Sequence, residues 1–311
     1  MASTGFYFSL VRKIDLQTGL ISTPVGCTRN VGCAQGANVL AADYSLFQPV
    51  GLAFDRSGNM YVSLGYCCVM KVDALTTRLS FFAGYSGSPP AGVLPGQATL
   101  VSMNPGALAI DQNGGRNYLY IADYYEHLKV YRVDLNTGVL TTYAGNGSYD
   151  GPLGDGGPAT QASLSRINDL AVDEFGNLYI ATTADYPKGW IRKVDFASGM
   201  IYTIAGGGLD FGDYILADTA AILPHALAFD PTGRLFFVEA QRGGVFTINA
   251  ANRIVRVAGK AGDAYGFSGD NGLAISARFR APGYMTFDSA GNLFIVDQGN
   301  NRIRAIRGPI P

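Results

Sequence analysis

Few residues of this 311-residue chain could do chemistry, and its four cysteines form the sharpest group. Cys27 and Cys33 lie close together, and Cys67 and Cys68 are adjacent. Such thiols can pair as disulfides, stay reduced, or hold zinc as thiolates. No Cys-x-x-Cys pair is present, and the two histidines, His127 and His225, are far away in sequence, so the pattern favours disulfides. A bond between the two cysteine-bearing segments, with or without a Cys27–Cys33 link, suits the geometry. A bond between adjacent Cys67 and Cys68 is expected to be strained and disfavoured. Disulfides would imply an oxidising compartment. No Ser-His-Asp arrangement and no Gly-Lys-[Ser/Thr] phosphate loop is present, and the Gly-x-Gly strings lack the strand-to-helix setting of a dinucleotide site.

A second group is suited to recognition. Tyr66, Tyr124, Tyr125, Glu126, Asp185, Tyr186, Asp213, Tyr214 and Tyr265 fall in long, irregular segments between apolar runs. Tyrosine offers a large contact area at modest entropic cost, so the set is a candidate ligand-binding surface. The same residues could also simply pack their own loops.

These side chains must be carried by short strands. The composition, with 41 glycines, 18 tyrosines and 17 phenylalanines, points to strands and tight turns. Net charge is −1 and only 15% of residues are charged, so the surface gives no electrostatic reason to bind nucleic acid or an anionic membrane. No run approaches the roughly 20 apolar residues of a membrane span. The opening Met-Ala-Ser-Thr-Gly is neither basic nor apolar, so no signal peptide is expected in it.

The chain repeats itself. Gly51-Leu-Ala-Phe-Asp, Ala107-Leu-Ala-Ile-Asp, Asp169-Leu-Ala-Val-Asp, Ala226-Leu-Ala-Phe-Asp and Tyr284-Met-Thr-Phe-Asp recur at nearly even intervals. Each is followed by a glycine, then by a second apolar run such as Leu178-Tyr-Ile-Ala. A third run such as Trp190-Ile-Arg-Lys-Val-Asp follows, and then a fourth that ends in Ala-Gly. Asp and Gly at these offsets close hairpins, so one unit is a four-stranded antiparallel meander. A meander cannot cover both its faces alone, so the units must stack. Units are expected near 6–26 (partial), 47–84, 103–145, 164–206, 222–259 and 279–311 (partial), in one domain over 1–311. The loops between second and third strands, and between fourth and first strands, open on one face. The long segments all lie there, where ligands usually bind.

Gly154-Asp-Gly-Gly-Pro-Ala-Thr-Gln-Ala-Ser-Leu, its second copy from Gly269, Asp173-Glu-Phe-Gly-Asn-Leu-Tyr-Ile-Ala and Asn300-Asn-Arg-Ile-Arg resemble the linkers and strands of NHL repeats. The resemblance covers nearly the whole chain. It implies an all-β propeller, with six blades by the family's habit and five by strand count, its ring closed by N- and C-terminal strands. It also implies recognition of a protein, peptide or glycan by the long-loop face of an extracellular or cell-surface module, with no cofactor. Two alternatives stay open. One is a lactonase-like hydrolase with a calcium ion in the central channel, where Asn168, Asp169 and His225 are the candidate lining. A zinc-dependent lyase of the related kind needs several histidines, which this chain lacks. The other is an RNA-binding propeller, which its 23 basic and 24 acidic residues disfavour.

Overall fold

The structure is a computed structural model that describes residues 9–27, 33, 38–84, 98–124, 127–185, 187–262, 266–308 and 310. Regular secondary structure among them is β-strand, with short 3-10 turns. No helix is long and apolar enough to cross a membrane. The chain divides into two compact units, one of 1–112, 117–127 and 131–141, the other of 113–116, 128–130 and 142–311.

The first unit begins with a hairpin, β1 (Val11–Ile14) and β2 (Ile21–Val25), which is a two-stranded sheet of its own. Next comes a five-stranded sheet in the order β3-β7-β6-β5-β4. Its strands are β3 (Val39–Leu40), β4 (Pro49–Phe54), β5 (Met60–Leu64), β6 (Cys68–Val72) and β7 (Arg78–Ala83). The extra strand β3, which sequence periodicity did not suggest, pairs antiparallel with β7. The second blade sheet is β11-β10-β9-β8, from β8 (Pro105–Asp111), β9 (Tyr118–Asp123), β10 (Lys129–Asp134) and β11 (Leu140–Ala144).

The second unit holds three blade sheets. Blade 3 is β12 (Arg166–Val172), β13 (Leu178–Thr183), β14 (Gly189–Val194) and β15 (Ile201–Gly206). Blade 4 is β16 (Pro224–Phe229), β17 (Leu235–Glu239), β18 (Gly244–Ile248) and β19 (Ile254–Ala258). Blade 5 is β20 (Pro282–Phe287), β21 (Leu293–Asp297) and β22 (Arg302–Ile306). The repeats thus give five blade sheets, as strand counting suggests and not the six of the family's habit. The shared closing sheet expected from the two chain ends is not among the sheets of the described residues: β2 pairs with β1, and blade 5 has three strands.

Turn chemistry builds each meander. Asp173 Oδ1 accepts the Asn177 N–H at 2.9 Å, and the Asn177 side chain donates to Asp173 Oδ2 at 2.8 Å. Asp55 with Asn59 and Asp288 with Asn292 repeat this clamp. Strands between two neighbouring blades are covered on both sides and carry two apolar faces, as β17 does. Neighbouring Phe236 and Phe237, both 0% exposed, point into different cores. Phe237 packs with Ile191, Ala205 and Ile222, whereas Phe236 packs with Phe279, Met285 and Leu293. Successive side chains of a strand point to opposite faces, so one dipeptide joins blade 4 to blades 3 and 5. Burying each ring contributes about 1.5–3 kcal/mol.

Candidate functional site

Within the second unit the first strands β12, β16 and β20 lie side by side. Each carries a β-bulge just after its start, where the register against the second strand slips. The unpaired residues are Asn168 in β12, His225 in β16 and Gly283–Tyr284 in β20. A bulge turns its side chain out of the ladder, which brings these polar groups together. Asn168 Nδ2 donates to the Pro224 carbonyl at 2.8 Å and to Thr183 Oγ1 at 3.2 Å. Asp169 Oδ2 accepts the Leu227 N–H at 2.8 Å. These two side chains therefore tie down β16 on either side of His225, whose ring meets the Tyr284 ring edge-on at 5.6 Å. Desolvation pushes the Asp169 carboxyl up to about 7, against the pull of the Leu227 and Leu170 amides. Burial likewise holds the His225 imidazole below its usual range, opposed by a backbone hydrogen bond with Gly283. His225 Nδ1 is buried and has no hydrogen-bond partner among the described residues.

A second feature lies at the ends of second strands. Asp297 closes β21, and its Oδ1 accepts the Arg280 N–H at 2.8 Å, which anchors the chain just before β20. Glu239 closes β17 at the matching place, where the Leu223 amide before β16 pulls on its carboxyl. Its longer side chain leaves Oε2 over. That oxygen is buried and lies 3.2 Å from Arg242 Nε without the alignment of a hydrogen bond. Desolvation raises the Glu239 carboxyl to about 7, although Arg242 opposes the shift. The pair opens on a cavity of about 130 Å³ whose other walls are Pro187, Phe211, Ala221, Leu223 and Gln241. Arg242 also holds the roof: it donates to the Ala221 carbonyl at 2.5 Å and lies over the Phe211 ring at 5.5 Å. Phe211 itself is 58% exposed.

Beside this cavity, the Tyr149 hydroxyl bonds Asp185 Oδ1 at 3.2 Å, and Arg166 lies 5.6 Å over the Tyr149 ring. Pro187 joins the two groups, since it follows Asp185 in the same loop and lines the cavity. In the first unit, the exposed rings of Phe47 and Tyr66 lie 6.5 Å apart across two loops. Among the described residues no three His, Cys, Asp or Glu side chains group as a metal-ligand set.

No family model matches the chain. Mouse teneurin-1 is 28% identical over 233 residues, which is 68% of this chain and 8% of that protein. NHL repeat-containing protein 2 of Bos taurus is 28% identical over 201 residues, 58% of this chain and 26% of that protein. The chain therefore spans less than a tenth of the first and about a quarter of the second. Among solved structures, an auxiliary nutrient binding protein from Bacteroides ovatus superposes with a TM-score of 0.61 at 14% identity, over 96% of this chain and 64% of that one. The chain is a β-propeller, and its repeats are similar to those of NHL-repeat proteins.

The loops of this propeller distribute the sequence candidates unevenly. Tyr66, Tyr124 and Asp185 lie in loops between second and third strands, with Tyr66 and Asp185 exposed and Tyr124 42% exposed. Asp213 and Tyr214 lie instead along the linker beside β19. Asp213 pairs with Arg256 Nε at 3.0 Å, and the Tyr214 N–H donates to the Ile254 carbonyl at 2.7 Å. Tyr125, Glu126, Tyr186 and Tyr265 fall outside the described residues. Asn168, Asp169 and His225 are brought together, as ties between inner strands.

The cysteine pairing needs a correction. Cys27 bonds Cys33, and Cys67 bonds its neighbour Cys68, so no bond joins the two loops. Cys68 is 1% exposed and its sulfur lies 3.8 Å from that of Met70, inside the core of the first blade. Cys67 is held in the turn by its N–H bond to the Leu64 carbonyl. The inward-facing Cys68 sulfur is thereby withdrawn from the loop of Cys27 and Cys33 and bonds that of Cys67.

Sequence reasoning missed Glu239 and Arg242. A signal was present: Tyr120-Ile-Ala-Asp, Phe236-Phe-Val-Glu and Phe294-Ile-Val-Asp each end a buried run on an acid. A buried acid at a strand end needs a donor, and asking for that donor leads to the loop that follows.

Proposed function

We propose that this propeller is a recognition module that binds a protein, peptide or glycan on the loop face of its second unit, anchored in the Glu239–Arg242 cavity. The size of that cavity carries the reading. A pocket that swallows a whole small molecule measures about 300–1,000 Å³. At about 130 Å³, this one suits a single group of a larger ligand. Glu239 offers a carboxyl whose second oxygen lacks a hydrogen bond, and Phe211 offers an exposed ring for the ligand to lie on. A hydroxyl or amine on a sugar ring or side chain fits that donor requirement. Tyr149 and Asp185 extend the contact surface beyond the cavity. The two disulfides suit an oxidising, extracellular setting.

The test is a screen of the propeller against immobilised glycans and a displayed peptide library, repeated with Phe211→Ala and Glu239→Gln. Binders selected by the parent protein are expected to weaken by about ten-fold or more with either variant, the loss typical of an anchor residue. Binders that tolerate both substitutions would place recognition elsewhere, and the reading would fall.

A further inference from the structure

The bonds that Arg242 makes, and the one it does not make, limit what the cavity beside it can hold. One terminal nitrogen donates to the Ala221 carbonyl and the other to the Gly212 carbonyl at 3.4 Å. The guanidinium also lies 5.5 Å over the Phe211 ring and 6.0 Å over the Phe246 ring. These contacts fix the plane of the side chain and engage both terminal nitrogens, but not Nε. That nitrogen lies 3.2 Å from Glu239 Oε2, out of line for a hydrogen bond, and donates to no other described residue. Glu239 is the complementary case. It is buried, the Leu223 amide pulls on its carboxyl, and Oε2 has no hydrogen bond. The cavity wall thus presents a donor and an acceptor side by side, both unused.

Few groups satisfy the two together. An ammonium has donors only, so it would serve Oε2 and set its hydrogens against the Nε–H. It would also add a cation where charge is already balanced, since Arg242 and Arg256 both pull on Glu239 and Asp213 pairs with Arg256. A carboxylate has acceptors only, and it would set its charge against Oε2. A hydroxyl both donates and accepts, so it can give its proton to Oε2 and take the Nε–H. The primary amide of an asparagine or glutamine can do the same, and shape separates these two. At about 130 Å³ the cavity holds about four groups of water size, at about 30 Å³ each. That is one carbon–carbon edge of a sugar ring with its two hydroxyls. The Phe211 ring stays more than half exposed although Arg242 lies against it. A pyranose whose hydroxyl edge enters the cavity can lay its C–H face on this ring, which removes apolar surface from water. An amide side chain enters end-on with a short aliphatic stem and leaves the ring largely wet. Gln241 lines the same cavity and offers a side-chain amide to the second hydroxyl.

We propose that the Glu239–Arg242 cavity binds one edge of a neutral hexopyranose. A ring hydroxyl bridges Glu239 Oε2 and Arg242 Nε, its neighbour on the ring meets Gln241, and the C–H face lies on Phe211. This assignment rests on the recognition role proposed above and narrows its ligand to a glycan.

The probes are the methyl α-glycosides of glucose, mannose and galactose, titrated into the full chain and followed by saturation-transfer difference NMR. At least one is expected to saturate with a dissociation constant of about 1 mM. Phe211→Ala, an exposed position that leaves the core intact, should weaken it about ten-fold. Glu239→Gln, which keeps an oxygen for the Leu223 amide, should do the same. Among the monodeoxy analogues of the bound glycoside, two at neighbouring carbons should each lose about ten-fold and the rest should bind as the parent does. No saturation by about 50 mM with any glycoside would overturn the proposal. Equal binding by both variants would overturn it too, as would losses at carbons that are not neighbours. The peptide screen separates this failure from that of the wider role. Peptides that need Phe211 and Glu239 while no glycoside binds would leave the cavity an anchor and give it to an amide side chain, and the sugar assignment alone would fall. If neither class depends on these residues, both fall.

Discussion

Blades 3 and 5 are built from nearly the same repeat, yet they end differently. Trp190-Ile-Arg-Lys-Val in β14 matches Arg302-Ile-Arg-Ala-Ile in β22, and both linkers set an aspartate on the central arginine. In blade 3 a fourth strand lies over that run, so Ile191 is 0% exposed and Arg192 is 1% exposed. In blade 5 Ile303 is 57% exposed and Arg304 is 10% exposed. Side-chain identity therefore does not decide burial here; the next strand does. An arginine can lie at the heart of a blade because the linker supplies its counter-charge and backbone carbonyls accept from its terminal nitrogens, although Arg192 Nε has no partner among the described residues. Arg192 takes the Leu153 carbonyl, and Arg304 takes those of Ser268 and Arg278.

That contrast can be broken at several depths. The largest effect is expected from Ile191→Ala, which should cost about 3 kcal/mol by denaturant unfolding because it opens a cavity in a sealed core. The matched Ile303→Ala should cost less than about 1 kcal/mol. Equal losses would mean that blade 5 is covered in solution. Next, Asp155→Ala strands a buried guanidinium. Full burial would make this a loss of about 3–5 kcal/mol, but Asp155 is 45% exposed and water can screen the pair, so about 1–2 kcal/mol is expected. Asp270→Ala, whose aspartate is 58% exposed, should cost about half of that or less.

A smaller effect concerns the inner edge, where blade 3 has Asp169 and blade 5 has Tyr284. The Asp169 carboxyl is raised from 3.8 to about 7, so the folded state holds its proton more tightly than the unfolded chain does. Its contribution is complete below about pH 4 and is lost as pH rises through 7. Thermal scans should show the stability difference between parent and Asp169→Asn growing in the variant's favour between pH 4 and 7, by a few degrees at the upper end. His225, held below its usual range, works in the opposite sense, losing stability as pH falls below 6.5, so the comparison must be made between the two proteins and not along one curve. A difference that does not change with pH would show Asp169 to be ionised throughout. Smallest of all, Arg302→Ala in β22 should cost under about 1 kcal/mol, the worth of an exposed cation on a ring, here Phe267 at 4.0 Å.

The repeat made the fold legible. Turn aspartates, second-strand runs and Ala-Gly endings recur in the sequence at matching offsets, and each became the turn or strand that its chemistry requires. Asp155 and Asp270 were legible as motif letters but not as partners of Arg192 and Arg304, because those pairs close over more than thirty residues. The bulges that gather Asn168 and His225 leave no mark on hydrophobic alternation, since one extra residue is too little to disturb a short run. The cavity was hidden for a different reason. Its walls come from three separate loops, and only the fold of the 208–221 linker brings Phe211 to Glu239. Tyr214 misled in the reverse way: its residue type suits a binding loop, but its backbone is committed to the edge of β19.

Backbone clasps set a rhythm for assembly as well: the Ala41, Ala98, Ala159 and Ala217 N–H groups donate to the Thr77, Gly138, Gly199 and Asn252 carbonyls. Each joins a linker to a turn roughly 40 residues later, and closing loops of similar length carries a similar entropic penalty. No blade can fasten its own beginning until its last strand has emerged, so the growing chain always trails one unfinished sheet.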